Sequence, residues 1–392
     1  MSESGAPAPS GGRASILIHC QYVYGIGHFV RSVELARALS RSFDVFFLNG
    51  GEPVPNYVLP PAVRCVQLPA IYKREQLDAL IPVDPSMSLD ACLAARRALI
   101  EAVVGELAPD IVITEHFPFG LLFEAEAMAM IAHAKRVKPR AKIVCSVRDV
   151  IESARGGRRD AHTCDILNAE YDMVLVHGDP RIVPFTASFP MAAGIRIPLA
   201  HTGYIVKRPE PRAPASGAPI LLASVGGGRM GEELLDAAID AHAIAARRWP
   251  HRLVVFAGAF QTDVQRLRTR ARDDAPAQVT IHAFDEAHYR ATLSMAAGLV
   301  CMGGYNTLLE AVSSGLPALV YQRHFHDDNH EQALRVQLFD ACGLIRAMGP
   351  EDLPPERMAA RLLAFAASDA RSDTVVGVDG AECARRLLER LL

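Results

Sequence analysis

The sequence contains no C-x-x-C pair, although it carries eight cysteines. Cys20, Cys65, Cys92, Cys145, Cys164, Cys301, Cys342 and Cys383 stand apart with no regular framework. In a chain of 392 residues this scatter predicts the reduced thiols of a cytoplasmic protein and excludes a disulfide scaffold. Charge of one sign is lacking too: 41 basic against 44 acidic side chains leave a formal charge of -3. No broad basic field is therefore available for non-specific nucleic-acid binding. No stretch reaches the roughly 18 uninterrupted apolar residues of a membrane span. The start, Met1 to Arg13, is small, polar and rich in Gly, Pro and Ser, without the apolar centre of a signal peptide, and predicts a disordered leader. Apolar residues, by contrast, make up 50% of the chain, enough to exclude disorder as the main state. The length predicts two domains.

Short apolar runs alternate with stretches of helical period. Ser15 to His19, Asp44 to Leu48, Arg64 to Leu68, Ile111 to Thr114, Ile143 to Ser146 and Met173 to Val176 predict strands. Helices are expected over Phe29 to Leu39, Leu89 to Leu107, Leu121 to Val137 and His162 to Glu170. Lys207 to Pro219 (KRPEPRAPASGAP) has no hydrophobic period and predicts a linker. The alternation then restarts, with strands at Ile220 to Ser224, Leu253 to Ala257, Val279 to His282, Leu299 to Met302 and Ala318 to Tyr321. Helical segments between them are Glu232 to Arg247, Asp263 to Arg272, Glu286 to Ala297 and Thr307 to Ser314. The fold class expected is α/β: parallel βαβ units over residues 14–206 and again over 220–392, with the last helix, about Ala381 to Leu391, packing on either domain. Ligands of such sheets bind beyond the carboxyl ends of the strands.

Three glycine-bearing turns fall at those ends. The first, CQYVYGIGHFVR from Cys20 to Arg31, bends at Gly25 and Gly27 and places His28 at a helix start. The positive end of the helix dipole favours neutral imidazole there, the form a general base requires. A plain capping turn is the alternative. It is not a dinucleotide fingerprint, because Val30 stands where G-x-G-x-x-G needs its third glycine. The second turn, ILLASVGGGRMG from Ile220 to Gly231, offers Gly226, Gly227 and Gly228, whose N–H groups suit an anion pocket, unless the loop only connects. It has no G-K-[ST] and so is no nucleoside-triphosphate loop.

The third turn lies in CMGGYNTLLEAVSSGLPALV, Cys301 to Val320. Gly303 and Gly304 end a strand, Asn306 or Thr307 is expected to cap the next helix, and Glu310 follows one turn on. A carboxylate at that place suits the two hydroxyls of a ribose. Further on, HFHDDNHEQ (His324 to Gln332) offers carboxylates and amides for sugar hydroxyls, or is a solvated helix cap. Its His324, His326, Asp328 and His330 fall short of an H-x-H-x-D-H metal motif, the last histidine being one residue late, and no distant ligand set accompanies them.

The block from Gly303 to Glu310, with Ser314 to Pro317 and Asp328 to Gln332, resembles the donor domain of the MurG-like members of glycosyltransferase family 28. The Gly226 to Gly228 loop is similar to that family's diphosphate loop, and the Gly25 to His28 turn to its acceptor-domain turn. The resemblance implies a GT-B fold, two Rossmann-like domains holding a nucleotide sugar, a UDP-sugar above all, in a cleft. It further implies that Glu310 binds ribose and that Gly226, Gly227 and Gly228 with Thr307 hold the diphosphate. Asp328, Asn329 and Gln332 would contact the donor sugar, while Ala283 and Phe284 lie against the base. The chain departs from the family where Tyr321-Gln322-Arg323 replaces a proline-ended loop, and in the three histidines of its donor block.

Sugar transfer of this kind requires no cofactor beyond the co-substrate, and there is no D-x-D motif for a metal. Backbone N–H groups and a helix dipole suffice to face a pyrophosphate. His28 is the preferred base, with Glu115 and His116, after the Ile111 to Thr114 strand, as runners-up or as a simple helix-start pair. Attack opposite the diphosphate inverts the anomeric centre. The Gly25 to Arg31 turn also resembles nucleotide-sugar hydrolases of nonulosonic acid pathways, which use water as acceptor, and a non-catalytic sugar-nucleotide sensor remains a third option. The acceptor, whether small molecule, glycan or lipid-linked, is not readable. Arg155, Arg158 and Arg159 form a small basic cluster, suited to a solvated loop, a phosphate or peripheral contact with an anionic membrane.

Overall fold

The computed structural model describes residues 12–23, 26–54, 57–73, 79–151, 157–212, 217–226, 231–258, 263–274, 278–323, 330–367 and 375–392. Most of the expected leader, Gly25, Arg155, the middle of the linker, Gly227, Gly228, His324, His326, Asp328 and Asn329 lie outside the described residues.

The chain forms two compact units, the first made of Met1–Pro53, Val58–Ile205 and Gly377–Leu392, the second of Val54–Tyr57 and Val206–Val376. In the first, the order is β1 (Ser15–Cys20), α1 (Gly27–Leu39), β2 (Asp44–Asn49), β3 (Val63–Gln67), β4 (Ile71–Lys73), β5 (Leu80–Pro82), α2 (Leu89–Leu107), β6 (Ile111–Glu115) and α3 (Glu124–Val137). It continues with β7 (Lys142–Arg148), α4 (Gly157–Glu170), β8 (Met173–His177) and β9 (Leu199–His201). Seven strands form one sheet in the order β3-β2-β1-β6-β7-β8-β9, every pair parallel. All six residues of β1 are buried, as expected of a central strand covered by helices on both faces. Leu17, Val112, Ile143, Cys145 and Val174 pack with Ile100, Val104, Met130, Ile131 and Leu167 of the helices to make one core.

The second unit repeats the plan with β10 (Ile220–Ser224), α5 (Glu232–Ala245), β11 (Arg252–Phe256), α6 (Val264–Asp274), β12 (Val279–His282), α7 (Glu286–Met295), β13 (Gly298–Met302) and α8 (Tyr305–Ser313). Then come β14 (Ala318–Tyr321), α9 (His330–Ala341), β15 (Arg346–Met348) and α10 (Pro355–Ala366). Its six parallel strands run β12-β11-β10-β13-β14-β15. Strand order reverses direction between β1 and β6 in the first sheet and between β10 and β13 in the second. At such a switch point the loops diverge to opposite faces and leave a crevice beyond the strand ends.

Several expectations change. The three-residue strands β4, β5, β9 and β15 escape sequence reading because so short a run shows no period. Helix α3 begins at Glu124, not Leu121. Gly304 is the N-cap of α8 and contributes no side chain, so Asn306 and Thr307 lie inside the first turn instead of capping it. The last helix, α11 (Gly380–Glu389), belongs to the first unit, where it packs on α1. Gly380 explains the docking: its N–H donates to Tyr204 O at 3.0 Å, and an added Cβ would stand 2.3 Å from Gly203 O.

Candidate active site

The switch point of the first unit brings α1 against the end of β6. Glu115, the last residue of β6, is 3% exposed. Its Oε1 accepts from His28 Nδ1 at 2.9 Å and from Arg31 Nη2, while Oε2 accepts from Ser146 Oγ at 2.8 Å and Ser32 Oγ at 3.3 Å. The chain extends through Ser146 Oγ to His177 Nε2 and from His177 Nδ1 to Thr202 Oγ1, both 2.9 Å. His28, Arg31 and Ser32 all project from the first turns of α1, at i, i+3 and i+4 spacings that put them on one face.

Burial alone would raise the Glu115 pKa, but the Arg31 guanidinium and His28 outweigh it and hold the carboxyl far below the usual range. It is therefore a permanent anion. Because a carboxylate only accepts, the His28 bond requires the hydrogen on Nδ1, and the lone pair falls on Nε2. Arg31 Nη2 also lies 3.3 Å from His28 Nδ1, a position that bears on charge and does not change this tautomer. Burial and the nearby Arg148 charge push the His28 pKa below its ordinary 6.5, so the ring is neutral at pH 7. His116 is held still lower by burial and by its neighbours His28 and Arg148. Its ring centroid is 5.1 Å from that of His28. Burial, with Arg31, takes His177 down to about 3.

In the second unit the glycines meet around the start of α8. Gly226, at φ 71°, follows β10, and a Cβ there would lie 3.0 Å from Thr307 Oγ1. Gly303 lies against α9, where a Cβ would come within 2.4 Å of Val336 Cγ2 and 3.7 Å of the Gln332 carbonyl. Gly304 has open space around its Cα. Gly226, Gly303, Gly304, Asn306, Thr307 and Gln332 are thereby gathered at the strand ends beside the β10–β13 switch point, with the unpaired N–H groups of the first α8 turn. Ala283 and Phe284 sit further along the same edge, between β12 and the Asp285 cap of α7.

Glu310, expected to face the same mouth as the glycines, is half-buried in α8. It lines a recess with Lys207, Arg212, Arg290, Ser294 and Ser313. Burial pushes its pKa up to about 7, opposed by Arg290 and by the Tyr289 hydroxyl and reinforced by Glu286, which is itself paired with Lys207. Arg290 is held elsewhere as well, by Glu210 at 3.3 Å. Among the described residues no three His, Cys, Asp or Glu side chains cluster as a metal site, and no helix is long and apolar enough to cross a membrane. Arg158 and Arg159 are exposed on the first turn of α4.

No protein-family model matches the sequence, and no curated protein matches it significantly. Solved structures do match over nearly the whole chain. The calicheamicin glycosyltransferase CalG4 is 20% identical with a TM-score of 0.58, covering 97% of this chain and 94% of that one. MurG of Acinetobacter baumannii is 16% identical with a TM-score of 0.54, covering 97% and 100%. Phytolacca americana UGT2, complexed with UDP-2-fluoro-glucose and pterostilbene, is 15% identical with a TM-score of 0.59, covering 97% and 93%. The fold is GT-B.

The GT-B switch points explain which residues sequence reading missed. Arg31, Ser32, Ser146, His177 and Thr202 complete the Glu115 network from four separate segments, so no local spacing announces them. The one available signal is a polar residue closing an apolar strand, as His177 closes MVLVH and Arg148 closes KIVCSVR.

Proposed function

We propose that the protein is a cytoplasmic, metal-independent, inverting glycosyltransferase that moves a sugar from a nucleotide sugar, a UDP-sugar, to an acceptor hydroxyl. The observation that carries this is the 2.9 Å bond from His28 Nδ1 to the buried Glu115. Glu115 fixes the tautomer and stabilises the imidazolium that forms, and His28 Nε2 takes the proton. The acceptor oxygen then bonds to the anomeric carbon, the carbon–oxygen bond to the diphosphate breaks, and the electron pair leaves on the β-phosphate oxygen. Gly226 and the α8 N-terminus, with Thr307, receive that charge through N–H groups and the helix dipole. Glu310 accepts the two ribose hydroxyls, Ala283 and Phe284 lie against the base, and Gln332 reaches the sugar. CalG4 and MurG are glycosyltransferase structures, and UGT2 was solved with a UDP-sugar analogue, which supports the donor class.

The test is UDP release from UDP-sugars by the purified chain, with and without a pool of hydroxylated acceptors. Acceptor-dependent release that falls by about 10²–10⁴ in H28A supports the proposal, given the usual contribution of a general base. Equally fast release without acceptor makes the enzyme a hydrolase, and an isomerised UDP-sugar makes it an epimerase. UDP binding without turnover in any arm leaves a sensor.

A further inference from the structure

Glu115 receives hydrogen bonds from two directions, and only one of them touches the base. On the near side stand His28 and Arg31 of α1. On the far side a line of side chains crosses the sheet: Ser146 of β7, His177 of β8 and Thr202, the residue after β9. Parallel pairing sets this line up. Glu115 is in register with Ser146, and Ser146 with Leu175, two residues before His177, so the three polar side chains share one edge of the sheet. Ser146 is 1% exposed and His177 0%, which seals the line from water. Its links measure 2.8 Å from Ser146 Oγ to Glu115 Oε2, 2.9 Å from His177 Nε2 to Ser146 Oγ and 2.9 Å from Thr202 Oγ1 to His177 Nδ1.

The direction of each hydrogen follows from the carboxylate end. Glu115 is ionised and only accepts, so the Ser146 hydroxyl donates to it. With its one hydrogen committed there, Ser146 Oγ accepts from His177, whose hydrogen therefore sits on Nε2. Burial beside Arg31 disfavours a second hydrogen on the His177 ring, so Nδ1 keeps its lone pair and takes the Thr202 hydrogen. Thr202 Oγ1 is also 2.8 Å from Gly203 O, to which that hydrogen would turn if the ring were charged. A neutral ring gives one self-consistent order, with donors pointing at Glu115 from both sides.

We propose that His177 is a positioning residue for the base: through Ser146 it holds Glu115 in the rotamer that presents Oε1 to His28, and so sets how strongly His28 attracts a proton. This rests on the assignment of His28 as the base and adds the residues behind it. An ionised carboxylate that loses a donor exerts more of its charge on the partners that remain. Without the Ser146 hydrogen, Glu115 stabilises protonated His28 more, and the base is blocked by a proton at higher pH. The other titratable or charged groups around the pair are Arg31 from α1, Cys20 from β1, His116 after β6, and Cys145 and Arg148 from β7. Burial keeps both thiols protonated, so none of these reverses the sign.

The experiment is a pH titration of the full chain, carrying nitrogen-isotope-labelled histidine, followed by NMR, which reads the tautomer and pKa of each ring without any substrate. In wild type, His28 should carry its hydrogen on Nδ1 and His177 on Nε2. S146A and H177L should each raise the His28 pKa by about half a unit or more, and move the acid limb of kcat/KM with it. H177Q, whose amide N–H falls near the place of Nε2, should keep both close to wild type. A side chain that merely fills space would lower stability in H177L and move neither. If H177L fails to fold, S146A, the smaller change, carries the same prediction. An unmoved His28 pKa in S146A, a His177 hydrogen on Nδ1 alone or on both nitrogens at pH 7, or an H177Q variant shifted as far as H177L overturns the positioning role. A His28 pKa that shifts as expected while turnover survives H28A counts instead against His28 as the base.

Discussion

Two carboxylates near the switch points of the two units, Glu115 buried and Glu310 half-buried, have opposite chemistry. Glu115 ends β6, the strand across the switch point from β1, and Glu310 lies in the helix after β13, the strand across the switch point from β10. Around Glu115 the protein itself supplies the donors Arg31, His28, Ser32 and Ser146, and the acid is held ionised. Around Glu310 it supplies fewer, the nearest cations are shared with Glu210 and Glu286, and the acid is pushed up to about 7. A carboxylate completed from within is a fixed part of the machinery. One left short of donors is stabilised by whatever brings them, and a ribose brings two hydroxyls.

Removing the charge from Glu115 should therefore give the largest effect. Glu115→Gln leaves the Arg31 guanidinium, 1% exposed, buried without its counter-charge, at a cost of about 3–5 kcal/mol. Urea unfolding measures this, and the same variant should lose activity by at least about a hundredfold as the His28 tautomer is no longer imposed. The double variant R31M/E115L separates the two roles. Replacing a buried pair with apolar side chains of similar size is often neutral for stability, so it should recover much of the stability and none of the turnover. Recovery of both would show that Glu115 only fills space.

At Glu310 the signs reverse. Its pKa is raised from 4.5 to about 7, so the folded protein binds a proton that the unfolded chain releases between those values, and stability falls as pH rises through that window. A pKa difference of one corresponds to about 1.4 kcal/mol, so the loss amounts to at most about 3.5 kcal/mol. Glu310→Gln should flatten this dependence, making the variant more stable than wild type at pH 8 and no more stable at pH 4.5. Donor binding should move the other way. Losing one or two hydrogen bonds to a charged group, each about 1.5–3 kcal/mol, weakens UDP by roughly tenfold or more. A variant that binds UDP as well as wild type would remove the ribose role and end the contrast.

The same contrast shows how far the sequence was legible. Strands such as SILIH and helices such as Leu89 to Leu107 declare themselves through period, and the glycine turns through φ and close approach, as at Gly226. His28 and Glu310 were visible because each stands in a local block with its glycines. Their difference in environment was not, because it is made by residues brought together only by folding: Ser146 from β7 and Ser32 from α1 in one case, Arg290 and Tyr289 from α7 in the other. Asp328 and Asn329, read for the sugar, lie outside the described residues, so the structure adds nothing to them.

A smaller effect is expected for turnover at pH 7 to 8. With burial and Arg148 holding His28 below its ordinary 6.5, kcat/KM should stay level at pH 7 to 8 and fall only on the acid side of 6.5, as the ring gains a proton. Glu115 cannot produce that limb, being ionised far below it. A limb that persists in an H28A variant with residual activity would assign the titration elsewhere.

The smallest change tests how Gly226 and Thr307 are matched. At φ 71° any side chain is strained, by about 1–2 kcal/mol, and the Cβ of alanine would press Thr307 Oγ1 at 3.0 Å. G226A should therefore destabilise the second unit by a little more than the backbone term alone. In G226A/T307A the contact disappears while the φ strain stays, so the two substitutions should couple favourably in a double-mutant cycle by a few tenths of a kcal/mol. Both single variants should also weaken UDP, since one moves the loop N–H groups and the other removes the hydroxyl beside them. If stability is coupled but UDP affinity is untouched, Gly226 serves only the packing of its turn, and the donor's diphosphate is held by the α8 N-terminus without it.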